Sequence, residues 1–248
     1  MYRIHALTNG RCVIAGYHAF LGGSPDERYP YNLFVWLIEG GPKPVLVDAG
    51  LRNVDEMNRG AAHVLAEPIT QSPDESARAQ LAARGVQPED VDAVIITHLH
   101  FDHVDELDIY TNARIFVSKR GLEAATALPG WQGSWAPYKT LRGLTVDWRD
   151  RTEAVDDQEI IPGIRTLWIG GHTPCSQAVI VRTSLGEVAL AGDTVSLFAN
   201  LEKGIPVGVA HDYEQCRTAM RRLREGADLV IPSHDPEVLS RFPGGVIG

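Results

Sequence analysis

The fold is decided by residues 91–103, which read VDAVIITHLHFDH. The first half is an apolar, largely β-branched run, which predicts a buried strand. The second half places three of the chain's nine histidines, and an aspartate, where that strand ends. A strand end is held by its sheet while the following loop turns back over the edge, so side chains there can converge. We therefore expect a ligand site at this position.

The residue types at this strand end favour a metal with an open coordination position. Imidazole and carboxylate together suit Zn²⁺, Fe²⁺ or Mn²⁺. No cysteine stands close by, which argues against a closed structural zinc site. The alternative is a solvated polar turn. Three histidines and an aspartate at the exit of a buried strand, however, need partners that offset the loss of water.

The same arrangement returns at three later positions. His172, Asp193 and His234 each follow a short run of β-type residues. Taken alone, each is typical of a hydrogen-bonded loop residue. Together the four strand ends supply seven candidate ligands: His98, His100, Asp102, His103, His172, Asp193 and His234. Seven ligands exceed the need of one tetrahedral ion, and they suit two metals that share a carboxylate.

The order of the remaining elements predicts an α+β fold. Runs of strand type come first, strands and helices then alternate, and a similar order returns in the second half. No linker divides the chain, so we expect a single domain over residues 1–248, with two packed sheets covered by helices. Residues 54–66 have helical composition, and residues 127–150 are expected to be irregular and rich in aromatic side chains.

Composition excludes several classes of function. Lys and Arg number 23 against 32 Asp and Glu, and this net charge of −9 argues against a nucleic-acid partner. No apolar run approaches the roughly 20 residues that span a bilayer, so we expect no membrane partner. The N-terminus lacks the basic head and apolar stretch of a signal peptide. Three cysteines without CxxC spacing are typical of a reduced protein, and we expect a cytoplasmic location.

The four motifs together resemble those of the metallo-β-lactamase superfamily. They are HxHxDH at 98–103, GHTP at 171–174, GD at 192–193 and SHDP at 233–236. The resemblance covers nearly the whole chain, from the turn that contains Asp48 to His234. It implies an αβ/βα sandwich of two packed mixed sheets flanked by helices, with the metals at one edge. It also implies that Asp48 supports the metal histidines from behind.

The same resemblance divides the ligands between two metals. One metal would be bound by His98, His100 and His172. The other would be bound by Asp102, His103 and His234. Asp193 would bridge them.

Within this superfamily the chain is most similar to the N-acyl-homoserine lactonases and the pyridoxolactone hydrolases. The phrase THLHFDH, the histidine at position 103 and the ending Ser233-His234-Asp235-Pro236 carry this similarity. One departure concerns the third residue after the bridging aspartate, where the lactonases usually have a tyrosine. Here that residue is Ser196. The sequence therefore predicts a lactonase whose substrate is held differently.

The expected reaction is hydrolysis of a small-molecule ester, in which a hydroxide that bridges two divalent metals attacks the carbonyl of a lactone. Zinc is the expected metal, with iron, manganese or cobalt as alternatives. Asp102 would orient the nucleophile and pass its proton to the leaving group. The oligomeric state is left open. The candidate substrate contacts are Ser196, Phe20, Trp131, Trp135, Tyr138 and Phe198, and further candidates for the pocket wall are Tyr17, His18, Tyr31 and Leu197.

Several other functions share this pattern. A thioesterase of the glyoxalase II type, or another carboxylic-ester hydrolase, would use the same metals, but the basic tail of glyoxalase II is absent. A mononuclear-iron persulfide dioxygenase would leave part of the Asp102, His103 and His234 set idle. A metal-dependent binding protein would require both open positions to be blocked. Metal content and a generic ester-hydrolysis assay distinguish these classes.

Overall fold

The computed structural model describes residues 1–127 and 135–248. Within this part of the chain, the strands form two sheets. The strands of the first sheet are β1 Arg3–Ala15, β2 Arg28–Glu39, β3 Val45–Val47, β4 Leu65–Thr70, β5 Ala93–Ile95, β6 Arg114–Ser118, β7 Thr152–Val155 and β13 Val246–Ile247. Those of the second are β8 Glu159–Ile161, β9 Ile164–Trp168, β10 Gln177–Thr183, β11 Gly186–Leu190 and β12 Leu229–Ile231.

Short helices connect and cover the sheets. They are α1 Gly16–Ala19, α2 Val54–Gly60, α3 Ala77–Ala82, α4 Phe101–Val104, α5 Lys119–Thr126, α6 Tyr138–Arg142, α7 Phe198–Lys203, α8 Tyr213–Gly226 and α9 Glu237–Arg241. The longest, α8, begins where the Asp212 side chain accepts a hydrogen bond from the Gln215 amide at 2.9 Å. Its buried face repeats at helical spacing and packs against the second sheet through Ala219, Met220 and Leu223.

Strand direction brings the polar loops to one edge of the sandwich. The first sheet runs in the order β13-β1-β2-β3-β5-β6-β7, with β4 also paired to β1. In it, β3 and β5 are parallel, so the loops that follow them lie side by side. In the second sheet, ordered β12-β11-β10-β9-β8, strands β9, β11 and β12 point the same way. The carboxyl ends of these five strands precede all the predicted metal ligands and Asp48.

The two sheets face each other across an apolar core. Val47 and Ile95 from the first sheet share one buried cluster with Val179 and Ile231 from the second. Val47, Ile95 and Ile231 are the last residues of strands whose ends carry the polar loops. Burying these side chains stabilises the fold by roughly 25 cal/mol for each Å² of apolar surface removed from water. The buried strands are held in place, and they position the loops that follow them.

The fold class predicted from the sequence, an α+β sandwich of two packed mixed sheets with flanking helices, is confirmed. The assignment of residues 1–248 to one domain stays a prediction. In residues 1–127 and 135–248, no helix has the length and apolar character needed to cross a bilayer.

Two local expectations were wrong. Residues 54–66 were expected to be helical, but α2 ends at Gly60 and Leu65 begins strand β4. The strand forms because β1 is long enough for its second half to offer β4 a partner, for example Arg11 against Thr70. Residues 127–150 were expected to be irregular, but their described part contains α6 and a π-helical segment at Gly143–Asp147. Long-range pairing and packing override local composition at both places.

Candidate metal centre

The seven predicted ligands lie together at the edge where the strands end. They form two groups in which the potential ligand atoms lie within 4.8 Å of one another. We call His98, His100 and His172 the three-histidine group, and Asp102, His103 and His234 the Asp102 group. Asp193 lies between them.

In the three-histidine group, three imidazole nitrogens face one point. His98 Nε2 lies 3.1 Å from His100 Nδ1. His172 Nε2 lies 3.0 Å from the same His100 atom. The first two side chains come from the loop after β5 and the third from the loop after β9, so the group joins the two sheets.

The Asp193 carboxylate faces both groups with different oxygens. Its Oδ2 lies 3.8 Å from His98 Nε2 and 3.8 Å from His172 Nε2. Its Oδ1 lies 3.3 Å from His103 Nε2 and 3.0 Å from His234 Nε2. One carboxylate is thus positioned to serve two cations.

Asp102 completes the second group. Its Oδ2 lies 3.5 Å from His103 Nε2 and 3.8 Å from His234 Nε2. Asp102 and His234 also line the large cavity described below, whereas His103 does not reach its lining. Asp102 is therefore the carboxylate of this group with direct access to a bound molecule.

Asp48 orients one histidine in each group. Its Oδ2 accepts a hydrogen bond from His103 Nδ1 at 2.7 Å. It reaches His98 indirectly, because the Thr97 hydroxyl donates to Asp48 Oδ2 at 2.8 Å and can then accept from His98 Nδ1 at 3.2 Å. The Asp48 backbone has a φ of 64°, a region that aspartate tolerates better than most residues. This geometry agrees with the supporting role predicted for Asp48.

Backbone carbonyls orient two further histidines. His172 Nδ1 lies 2.7 Å from the Val209 carbonyl, and His234 Nδ1 lies 3.0 Å from the Asn32 carbonyl. A carbonyl can only accept, so both Nδ1 atoms carry the proton. When the imidazole is neutral, this leaves the lone pair on Nε2, which is the atom that faces the cluster.

The groups differ in their proton affinity. Burial, and then the neighbouring His103, hold the pKa of His98 well below its usual value. Burial also lowers the pKa of His100, to about 3, and that of His172. Burial alone would lower the pKa of His103 too, but the carboxylates of Asp102, Asp48 and Asp193 raise it well above its usual value.

The donor set fits two divalent cations. In the three-histidine group, the nitrogens of His98 and His172 lie 3.1 Å and 3.0 Å from His100 Nδ1. When these two rings are neutral and donate through Nδ1, their Nε2 atoms carry no hydrogen and can bind a cation. Among the described residues, the buried His103 Nε2 and Asp193 Oδ1 have no hydrogen-bond partner of normal geometry. Buried polar atoms without partners are costly, and a cation between these groups would satisfy them. The structure thus supports two cation sites, and it does not distinguish zinc from other metals.

A cavity of about 470 Å³ opens beside the two groups. His100, Asp102, His172, Asp193 and His234 form its floor. Its walls are mostly apolar and come from β1, β2, α2 and β4: Cys12, Ile14, Leu33, Met57, Leu65 and Ile69. Such a shape suits a molecule with a polar reacting group and an apolar chain.

The predicted substrate contacts are distributed unevenly. Trp135 lies at the cavity wall, with its ring edge-on to His100 at 6.4 Å between centroids. Ser196 is buried, and its hydroxyl lies 3.4 Å from the Asp193 carbonyl, away from the cavity lining. Tyr138 is 63% exposed and is not part of the wall. Trp131 lies outside the described residues.

Phe20 and Phe198 also lie away from the cavity lining. The Phe20 ring packs edge-on against Tyr29 at 5.0 Å. The Phe198 ring belongs to the core between the sheets and carries the Arg241 guanidinium at 3.8 Å. Both rings are buried and neither belongs to the cavity lining, so the structure does not bring them to a bound molecule.

Two further candidates for the pocket wall, His18 and Tyr31, line the cavity. Tyr31 stacks on His234 with centroids 5.0 Å apart and an angle of 16°. His18 meets Tyr31 edge-on at 6.4 Å. Neither residue stands near a metal-ligand motif, and contacts made in the folded chain bring both to the site. The sequence signal for both residues was their place in the loops and strands expected around the edge that carries the metal ligands.

Comparison with known families identifies the chain. The metallo-beta-lactamase superfamily domain matches residues 28–234. The chain belongs to this superfamily. The matched range contains all six members of the two groups and Asp193.

The relatives point to one branch. The chain is 30% identical over 257 aligned positions to the N-acyl homoserine lactonase AttM of Azorhizobium caulinodans, covering 97% of this chain and 95% of that protein. It is 26% identical over 234 positions to an N-acyl homoserine lactonase of Bacillus thuringiensis, covering 90% and 87%. These similarities confirm the predicted resemblance to a metal-dependent hydrolase of the lactonase type, and they do not favour the thioesterase and dioxygenase alternatives.

Solved structures agree on the fold. The structure of an N-acyl homoserine lactone hydrolase with its product N-hexanoyl-L-homoserine at the catalytic metal centre superposes with a TM-score of 0.81 at 23% identity, covering 97% of each chain. The dizinc lactonase AidC has a TM-score of 0.70 at 16% identity, covering 99% of this chain and 89% of that one. At these identities the likeness shows the αβ/βα sandwich fold.

Proposed function

We propose that this chain is a dinuclear metal-dependent lactonase that opens the ring of an N-acyl homoserine lactone. The observation that carries the proposal is the position of the double ligand group on the floor of an apolar cavity. The reacting ester would lie over the ligands, and the acyl chain would lie against the apolar wall. Two lactonase relatives at 26% and 30% identity support the same substrate class.

Two divalent cations are part of the proposal, with zinc as the expected metal. The three-histidine group and Asp193 Oδ2 would hold one, and the Asp102 group and Asp193 Oδ1 would hold the other. When bound, such cations lower the pKa of water and polarise an ester carbonyl. The protein contributes the fixed orientation of the donor atoms, through Asp48, Thr97 and two backbone carbonyls.

Asp102 is the proposed catalytic residue. Its carboxylate borders the cavity and lies next to His103 and His234, so it is within reach of both the ligand cluster and a bound ester. Asp102 would accept the proton of the attacking water on a carboxylate oxygen and deliver it to the leaving alkoxide. An alkoxide needs only this one proton to leave as an alcohol.

No side chain is proposed as a nucleophile. The three cysteines are free and buried, and burial raises the pKa of each thiol to about 12. A thiol with so high a pKa is protonated at neutral pH and is a poor nucleophile. The unpaired thiols also support a reduced, cytoplasmic location. The proposed partner is the small-molecule substrate, with no nucleic acid.

The function is tested by metal-reconstituted protein on a panel of lactones, linear esters, thioesters and β-lactams. Ring opening of N-acyl homoserine lactones should dominate, and protein stripped of metal by a chelator should be inactive. Preference for thioesters or β-lactams would overturn the lactonase proposal. Activity that survives complete metal removal would overturn the metal mechanism.

The source of the attacking oxygen is tested by a single turnover in ¹⁸O-water with enzyme in excess. One labelled oxygen should enter the product carboxylate in that first turnover. An unlabelled product would mean that an enzyme side chain attacks the ester, since its own oxygen would then enter the product first.

A further inference from the structure

His18 lies at the junction between the metal centre and the apolar cavity. It belongs to the short helix α1 and lines the cavity together with members of both ligand groups. Asp102, His172, Asp193 and His234 all act electrostatically on its imidazole. No metal-ligand motif contains it, since it stands 80 positions before His98.

The fold holds His18 firmly in this position. Its carbonyl accepts a hydrogen bond from the Gly208 amide at 2.8 Å, and the Leu21 amide donates to the Pro206 carbonyl at 2.9 Å. A Cβ on Gly208 would lie 1.6 Å from the Tyr17 carbonyl oxygen, so only glycine permits this close approach. The edge contact with Tyr31 restrains the ring.

The His18 imidazole has an unused hydrogen-bonding atom. Its Nδ1 is closed off from solvent, and neither ring nitrogen has a hydrogen-bond partner among the described residues. Burial, with the neighbouring His172 adding to it, lowers the pKa of His18 to about 4, so the ring is neutral at pH 7. A neutral imidazole offers one donor and one acceptor. Nε2 is not closed off, and it is the nitrogen that can hydrogen-bond a molecule in the cavity that His18 lines.

We propose that His18 determines substrate specificity by hydrogen-bonding, through Nε2, to the amide group that joins the acyl chain to the lactone ring. This inference rests on the function proposed above and adds a residue to it. In an N-acyl homoserine lactone, the amide is attached to the carbon next to the ester carbonyl. A group that recognises it must lie beside the ligand cluster and also at the entrance to the apolar wall. His18 occupies that place.

Two matched substrates separate this role from general catalysis. N-hexanoyl homoserine lactone carries the amide, whereas an α-alkyl-γ-butyrolactone of equal chain length has the same ring without it. His18→Ala should lower kcat/KM about tenfold for the amide substrate, the size expected for one neutral hydrogen bond, and leave the alkyl lactone nearly unchanged. His18→Asn, which keeps a donor and an acceptor, should recover part of the loss.

Binding gives a readout that is independent of turnover. Calorimetry with the ring-opened product N-hexanoyl-homoserine should show affinity about tenfold weaker in His18→Ala, with metal content equal to that of the unmodified protein. His5→Ala is the matched control, because His5 pairs with Glu39 and lies outside the cavity. It should change neither substrate preference nor product affinity.

Three results would overturn the inference. His18→Ala could lower kcat/KM equally for both lactones, it could leave both unchanged, or it could lose metal. If the unmodified, metal-loaded protein hydrolyses neither lactone, the proposed function itself fails and the role of His18 falls with it. That outcome is distinct because it appears before any substitution is made.

Discussion

The three-histidine group and the Asp102 group use the same kinds of ligand in opposite electrostatic surroundings. In the first, burial keeps the imidazoles neutral, and the carboxylates of Asp193 at His98 and of Asp102 at His100 do not overcome it. In the second, burial alone would lower the pKa of His234, but the Asp193 carboxylate raises it above its usual value. The carboxylates of Asp102, Asp48 and Asp193 likewise raise the pKa of His103.

This difference shows how one metal centre contains two unequal sites. A cation in the Asp102 group would meet two carboxylates, Asp102 and Asp193, whereas a cation in the three-histidine group would meet only Asp193 among its proposed ligands. The supporting contacts are also unequal, since Asp48 touches His103 directly and reaches His98 only through Thr97. Variants that remove one contact at a time can therefore affect one site more than the other.

The largest effect is expected from Asp193→Ala, because this carboxylate serves both groups. Hydrolysis should fall below detection. A dinuclear site binds about two cations per chain, and elemental analysis of the variant should find far fewer. Substituting His5, which lies outside both groups, should leave activity and metal content intact. Equal losses in both variants would mean that the centre lies elsewhere.

His172→Ala and His103→Ala should each remove one cation and leave the other. Each histidine belongs to one group, and Asp193 remains to support the other. Equilibrium dialysis should then find about one cation per chain in each variant and almost none in the double variant. If either single variant loses both cations, the two groups do not bind metal independently, and the proposed division of ligands must be revised.

Asp48→Asn should weaken metal binding by about 10–100-fold, the range for residues that orient metal ligands. Asparagine suits the φ of 64° at this position, so the backbone is preserved. The loss should be greater in the Asp102 group, because the direct 2.7 Å contact with His103 loses its charge. Competition with a chromogenic chelator, which resolves two affinities, measures this difference. A uniform loss in both sites would remove the basis of the comparison.

The smallest effect is expected from Thr97→Val, about tenfold at most. This change removes the hydroxyl between Asp48 and His98 but leaves Asp48 in contact with His103. Affinity should therefore fall in the three-histidine group and stay constant in the Asp102 group, the reverse of the pattern for Asp48→Asn. Thr97→Ser, which keeps the hydroxyl, is the control and should bind both cations normally.

Much of the metal centre was predictable from the sequence, because its ligands follow strands that local patterns reveal. The apolar run before His98 marks a buried strand, and the runs before Asp193 and His234 do the same. Parallel strands place their ends at one edge, so ligands far apart in sequence were expected to meet.

The cavity was much less predictable. Strand β4, which supplies Leu65 and Ile69 to the wall, forms in a segment partly expected to be helical, and its partner β1 lies more than 50 positions earlier. Of the aromatic side chains proposed as contacts, Trp135 reaches the wall, whereas Phe20 and Phe198 pack into the interior. Composition indicates that a loop residue is apolar, but it does not indicate which of two nearby apolar surfaces will bury it.

The sequence by itself therefore determined the fold class, the superfamily and the set of candidate ligands, because each depends on patterns within a few residues. The tertiary structure alone decided how Asp193 divides its two oxygens, how Asp48 reaches both groups, and that His18 and Tyr31, rather than Phe20 and Phe198, border the cavity. These features arise from contacts between elements that are distant in the chain. The packing of one sheet against the other sets such distances, and no local pattern encodes them.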